Sequence, residues 1–128
     1  MVLLIDDDPS VRDRHRRMLA SLGYAVSAPT TEHGWLSAFR GSLLELIIVD
    51  YGRRAGALTG VDIVRALRQV AGPQRRVPII GFSCRDSSAA LAAAGADFVL
   101  EPTLPEEHCA LVVRVAMARP GGRRALQH

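Results

Sequence analysis

Three apolar runs in this chain end directly on carboxylates: LLIDDD on Asp6, Asp7 and Asp8, LIIVD on Asp50, and FVLEP on Glu101. Carboxylates gathered in one cleft repel each other at neutral pH, so either some are protonated or a cation sits among them. The chain has no lysine, which leaves arginine or a metal ion. No cysteine or histidine stands at these run ends, and His15, His33, His108 and His128 show no metal-ligand spacing. Oxygen-only ligands favour a hard ion, and a shallow open site favours Mg²⁺ that keeps several waters. Such an ion beside a carboxylate oxygen invites a phosphoryl group, because it neutralises charge on the phosphoryl oxygens. A fourth apolar run, VPIIGF, ends on the hydroxyl of Ser83.

These residues need a frame that brings run ends together. VLLI (2–5), ELIIVD (45–50), VPIIGF (77–82) and FVL (98–100) are continuous apolar runs, the pattern of strands buried on both faces. YAVSA (24–28) alternates and reads as an edge strand. Helical patterns separate them. Pro9 opens the first, with Val11, His15, Met18, Leu19 and Leu22 on one stripe and Gly23 at its end. Thr30 or Thr31 caps the second, which turns Trp35, Leu36 and Phe39 inward. The third runs from about 61 to 71, with Val61, Val64, Leu67 and Val70 spaced for burial. DSSAALAAA (86–94) is a short helix closed by Gly95. Pro105 starts the last, to about 118, with Leu104, Val112, Val113 and Ala116 inward and no strong apolar patch on its exposed face. Five β-α units in strict alternation predict an α/β fold with a doubly wound, five-stranded parallel sheet. In such folds ligands sit at the carboxyl ends of the strands, where Asp6, Asp7, Asp50, Ser83 and Glu101 all fall.

Composition narrows the classes. The 128 residues suit one domain over 1–118 with a polar tail over 119–128, and 48% hydrophobic with 23% charged residues suits a globular core. No apolar run reaches the ~20 residues that span a bilayer. MVLLI lacks a basic flank and is not read as a signal peptide, so a cytoplasmic protein is expected. Cys84 and Cys109 form no CxxC pair and are expected reduced. The net charge is +3, and all basic residues are arginine. They are scattered, at 12–17, 53–54, 75–76 and 123–124, rather than clustered on one face, so nucleic acid is not an expected partner.

LLIDDDPSVR, LIIVDYG, VPIIGFSC and GADFVLEP, in that order, resemble a response-regulator receiver domain over nearly the whole chain. The resemblance implies the flavodoxin-like strand order 2-1-3-4-5. It implies Mg²⁺ held by Asp6, Asp7, Asp50 and the backbone carbonyl of Gly52, with Asp50 as phosphoacceptor, Ser83 as switch hydroxyl and Phe98 as switch aromatic. It implies a histidine kinase or phosphotransfer protein as donor, and a readout face at about residues 86–118 for a downstream protein. It also implies a cis peptide before Pro102. Asp8 is read as a cap of the first helix rather than a metal ligand.

The chain departs from that family at Glu101, where the family has a lysine that pairs with the phosphoacceptor. Two unit charges about 4 Å apart interact by ~4 kcal/mol at an effective dielectric of about 20, so the exchange matters if Glu101 points into the site. Arg85 is the candidate compensating cation, followed by Arg53 and Arg54; alternatively Glu101 points to solvent. The loop from Asp50 to Gly60 lacks the family's proline, Thr59 replaces its aspartate or asparagine, and the fourth helix is about a turn short.

Three functions compete. The first is a stand-alone receiver that takes a phosphoryl group on Asp50 and signals by binding protein, with homodimer formation through the last helix left open. The second is a degenerate, phosphorylation-independent receiver acting as a binding or dimerisation module. The third is a haloacid-dehalogenase-like phosphatase using Asp6 and Asp8, with Ser83 as its second-motif hydroxyl. That enzyme needs a later basic residue, a distal acidic pair and usually a cap domain, and the distal end here offers one acid. The chain is therefore read as a non-enzyme.

Overall fold

The apolar runs pair as parallel strands, β1 (Val2–Asp6), β2 (Val26–Ser27), β3 (Leu46–Asp50), β4 (Ile79–Phe82) and β5 (Phe98–Leu100), in the order β2-β1-β3-β4-β5. The computed structural model describes residues 1–41, 43–50, 59–70, 76–83 and 87–118. Between the strands run α1 (Pro9–Ser21), α2 (Glu32–Gly41), α3 (Gly60–Gln69), α4 (Ser88–Ala94) and α5 (Glu106–Ala118). This is the doubly wound α/β sheet that the alternating pattern predicts.

Side-chain parity sorts the core into two layers. Successive strand residues point to opposite faces, so both faces of a central strand need apolar cover. Leu3, Ile5, Ile47, Val49 and Ile79 pack with Trp35 and Phe39 of α2, Ile63 and Leu67 of α3, and Leu91 of α4. Val2, Leu4, Leu46, Ile48, Ile80 and Phe82 pack with Met18 and Leu19 of α1 and Cys109, Val113 and Ala116 of α5. Asp6 and Asp50 are the next even positions of β1 and β3, and they are direct register partners. Parity therefore turns both carboxylates toward the face under α1 and α5.

Local chemistry sets the helix ends. The Asp8 carboxylate accepts the N–H of Ser10 at 2.9 Å and of Val11 at 3.2 Å, so it caps α1 while Pro9 stands in the first turn. Gly23 takes φ 90° just beyond the helix, a conformation that costs other residues energy. Thr31 rather than Thr30 caps α2, its hydroxyl accepting the Gly34 N–H at 3.0 Å. Thr59 caps α3 in a reciprocal box with Asp62.

Some elements differ from the sequence expectation. β2 is two residues, because only Val26 and Ser27 reach the register of Val2 and Leu3. The buried stripe of α3 is Gly60, Ile63, Val64 and Leu67. The helix starts at Gly60, and Val61 and Val70 are half-buried at its margins. α4 has seven residues, the short helix expected.

Candidate functional site

Asp6 and Asp50 close β1 and β3 side by side, each 3% exposed. Two features hold Asp6 in place. Its Oδ1 accepts the Asp8 N–H at 2.9 Å, and Arg12 Nη1 donates to its carbonyl oxygen at 3.1 Å. Its Oδ2 faces the Nδ1 of His15 at 3.5 Å. Both of those atoms are buried and neither has a hydrogen-bond partner. His15 comes from the inner stripe of α1, and its ring stacks on Phe82 at the end of β4, with centroids 4.9 Å apart and planes inclined by 25°. One donor atom each from Asp6, His15 and Asp50 lie within 4.8 Å of one another, and all three residues are buried.

This arrangement corrects the expectation of an oxygen-only corner. His15 stands nine residues past Asp6 in sequence, yet the helix crosses back over the strand ends and delivers its imidazole there. Asp7 is half-buried at the start of the β1–α1 turn, outside that three-residue group. Asp8 serves the helix cap, as its local sequence indicates.

Ser83 is 7% exposed, and its N–H donates to the Leu100 carbonyl at 2.9 Å, which ties the ends of β4 and β5 together. Phe98 is half-buried and packs against the α1/α5 layer of the core. Glu101 is exposed, which matches the solvent-pointing alternative. In water its charge is screened, and the repulsion reckoned for a buried position does not apply. The peptide before Pro102 is trans, contrary to the cis form implied by the resemblance. Gly52, with its carbonyl implied as a metal ligand, Arg53, Arg54, Cys84 and the candidate cation Arg85 lie outside the described residues.

The donor set fits a divalent cation. Two buried carboxylates share a strand edge, and one of their oxygens has no hydrogen-bond donor, an arrangement that a cation relieves. Beside it, a cavity of about 490 Å³ opens between α1 and the β5–α5 connection, with His15, Arg14, Leu104 and Cys109 on its wall. Burial is the main cause that pushes the Cys109 thiol above its ordinary pKa, with Arg14 opposing. Cys109 is a free, buried cysteine.

Other residues that the sequence reading passed over hold the scaffold. Arg68 of α3 donates to the carbonyls of Gly95 at 2.9 Å and Val77 at 2.7 Å, and pairs with Asp97 at 2.8 Å. Asp97 also accepts the Ile79 N–H at 2.8 Å, so one ion pair fastens α3 to β4 and to the turn before β5. On α5, Leu111 is 61% and Val115 50% exposed, one turn apart. No helix among the described residues is long and apolar enough to cross a membrane.

Comparison with known proteins agrees with the geometry. The sequence profile of the response regulator receiver domain matches residues 2–112. The two-component response regulator PprB of Pseudomonas aeruginosa is 28% identical over 111 residues, covering 83% of this chain and 40% of that protein. The chain thus spans well under half the length of that relative. An uncharacterized 14.6 kDa protein of Leptolyngbya boryana is 27% identical over 123 residues, covering 93% of this chain and 92% of its own. Among solved structures, the receiver domain of the Pseudomonas aeruginosa sensor histidine kinase PA1611, which has magnesium coordinated in its active-site cleft, aligns with TM-score 0.78 at 22% identity, covering 92% of this chain and 97% of that one. The Vibrio cholerae chemotaxis protein CheY4 aligns with TM-score 0.76 at 23% identity, covering 90% and 96%. The sequence match, the strand order and the paired carboxylates at the strand ends together establish that this chain belongs to the response regulator receiver domain family.

Proposed function

We propose that the protein accepts a phosphoryl group on Asp50 from a phosphohistidine of a histidine kinase or phosphotransfer protein, and signals by binding a downstream protein. The observation that carries this reading is the buried pair Asp6–Asp50 at the carboxyl ends of adjacent strands. A bound Mg²⁺ would neutralise charge on the phosphoryl oxygens, and the residues that would hold it are Asp6, Asp7 and Asp50, with the Gly52 carbonyl implied by the family.

On this reading the chain's own residues would act in the transfer as follows. An Asp50 carboxylate oxygen attacks phosphorus in line and forms a P–O bond. The P–N bond to the donor imidazole breaks, and its electron pair stays on the ring nitrogen. Ser83 then donates its hydroxyl to the new phosphoryl oxygens, drawing the end of β4 toward Asp50. Phe98 turns into the space released, which biases a two-state element. The readout face is α4, β5 and α5, and the exposed Leu111 and Val115 give it an apolar contact. Use of Asp8 as a helix cap favours this reading over a phosphatase that needs it as an acid. The protein works in the cytoplasm and is not an enzyme.

The test is intact-mass spectrometry after incubation with acetyl phosphate and Mg²⁺. One added phosphoryl group, lost in Asp50→Asn and on removal of Mg²⁺, is expected. Unmodified protein under all conditions would favour the phosphorylation-independent binding module, for which the loss of the family's cation at Glu101 is the specific argument.

A further inference from the structure

We propose that Asp6, His15 and Asp50 form a mixed nitrogen–oxygen site that selects a borderline transition-metal dication, of the Co²⁺, Ni²⁺ or Zn²⁺ class, over Mg²⁺. This rests on the receiver reading of the same pocket and adds a ligand that the carboxylates alone do not supply.

The argument starts from an imidazole where the packing calls for an apolar side chain. His15 sits on the inner stripe of α1 with Met18 and Leu19 and is 7% exposed. A buried imidazole normally satisfies its ring nitrogens with hydrogen bonds. Here Nδ1 has none, and it points at an Asp6 oxygen that also has none. Their 3.5 Å separation is longer than a charge-assisted hydrogen bond. Two donors each about 2.1 Å from one ion, at a near-tetrahedral angle, stand about 3.4 Å apart. Asp50 brings a third donor within 4.8 Å of both. The stack on Phe82 fixes the ring plane, so little ordering remains to be done when an ion enters.

Donor chemistry then decides the ion. Carboxylates and water suit Mg²⁺, whereas an imidazole nitrogen suits the later first-row dications, whose affinity for a given site rises from Mn²⁺ toward Cu²⁺. Mg²⁺ gains little from a nitrogen ligand and demands near-ideal octahedral geometry. Replacing His15 therefore separates the two ion classes: the transition metal loses a ligand, and Mg²⁺ keeps its oxygens.

The experiment is calorimetric titration of the full chain with Co²⁺ and with Mg²⁺, on the wild type, His15→Phe and Asp50→Asn. Paramagnetically shifted histidine ring protons are recorded on the Co²⁺ form. Wild type is expected to bind Co²⁺ on the order of tenfold or more tighter than Mg²⁺, with His15→Phe losing that margin and keeping its Mg²⁺ affinity. One shifted ring is expected in the wild type and none in His15→Gln, a variant that decides the matter if His15→Phe does not fold. Undiminished Co²⁺ affinity in the His15 variants would show that the carboxylates alone hold the ion, a surviving shifted ring would assign it to His33, His108 or His128, and either result overturns the inference. In that case Mg²⁺ binding that is lost in Asp50→Asn would leave the receiver reading standing. If neither ion binds the wild type, both fall.

Discussion

Nδ1 of His15 and Oδ2 of Asp6 face each other at 3.5 Å in the interior, and neither makes a hydrogen bond. Each is a polar atom whose burial is costly until something satisfies it. Asp50 stands directly alongside Asp6 at the end of the neighbouring strand, so like charges meet there. Electrostatics, rather than packing, is therefore expected to set the stability of this corner.

Removing one of the facing carboxylates should stabilise the metal-free protein. Asp6→Asn keeps an oxygen to accept the Asp8 N–H and abolishes the like-charge repulsion with Asp50. The gain expected in chelator is on the order of 1 kcal/mol, well below the Coulomb value for a low-dielectric interior, because effective dielectrics near about 20 describe such pairs better. Thermal unfolding with EDTA and with Mg²⁺ checks it. The variant should melt higher than wild type in EDTA, and the order should reverse in saturating Mg²⁺. A lower melting point in both conditions would show that Asp6 is held by attractions stronger than the repulsion.

The Arg68 fork should matter more than any exposed ion pair. Its guanidinium is partly buried, and burial draws its pKa down while Asp97 opposes the shift. Arg68→Ala takes its donors from the Gly95 and Val77 carbonyls and its cation from Asp97, which keeps the Ile79 N–H, at a cost of roughly 2–3 kcal/mol. Arg68→Lys should recover less than half of that, because one ammonium cannot reach three acceptors in a planar fork. By contrast, Arg17→Ala, which loses an exposed pair with Asp13, should change stability by less than about 0.5 kcal/mol. Urea unfolding of the three variants orders them.

Gly95 is tied to the same fork. It has φ 123°, and a Cβ there would stand 2.5 Å from Arg68 Cγ. Gly95→Ala combines a strained backbone with displacement of the arginine, and a loss of about 2 kcal/mol or more is expected by the same unfolding measurement. In an Arg68→Ala background the penalty should shrink toward the backbone part alone, a coupling that a double-mutant cycle reads directly.

The α3 cap carries a pH dependence with a definite sign. The Thr59 backbone N–H and hydroxyl both donate to Asp62 and hold its carboxyl below its ordinary value of 3.8. A carboxyl depressed in the fold binds its proton first in the unfolded chain. Its stabilisation is complete above that ordinary value and disappears as pH falls through the lower folded value. The urea midpoint gap between wild type and Asp62→Ala should therefore stay constant from neutral pH to about 5 and close below about 3.8. A gap that widens as acid is added would reverse the assignment.

What the sequence made legible follows from how local each signal is. Strand positions were readable because the runs 2–5, 45–50, 77–82 and 98–100 are apolar on both faces, and the carboxylates were readable because they end those runs. The inward turn of His15 was also readable, since it shares a helical stripe with Met18 and Leu19. Its destination was not, because nothing local says that the stripe passes over the ends of β1 and β3. Arg68 escaped notice for the same reason: its acceptors lie 9, 27 and 29 residues away. The Thr59–Asp62 box did have a local signal, the T-x-x-D spacing before an apolar run, which only a search for capping boxes would pick out. Glu101 is the opposite case. Its identity was plain, but its orientation depends on the β5–α5 turn, and that turn leaves it in solvent.

The central claim is that Asp50 is the seat of a phosphoryl group. Its most direct test is titration with beryllofluoride, a stable mimic of the acyl phosphate, in the presence of a divalent cation and followed by backbone amide NMR. Saturable shifts at Asp50, Ser83 and Phe98 that require the cation and vanish in Asp50→Asn are the predicted result. An unchanged spectrum in wild type, under conditions where the cation demonstrably binds, would contradict it.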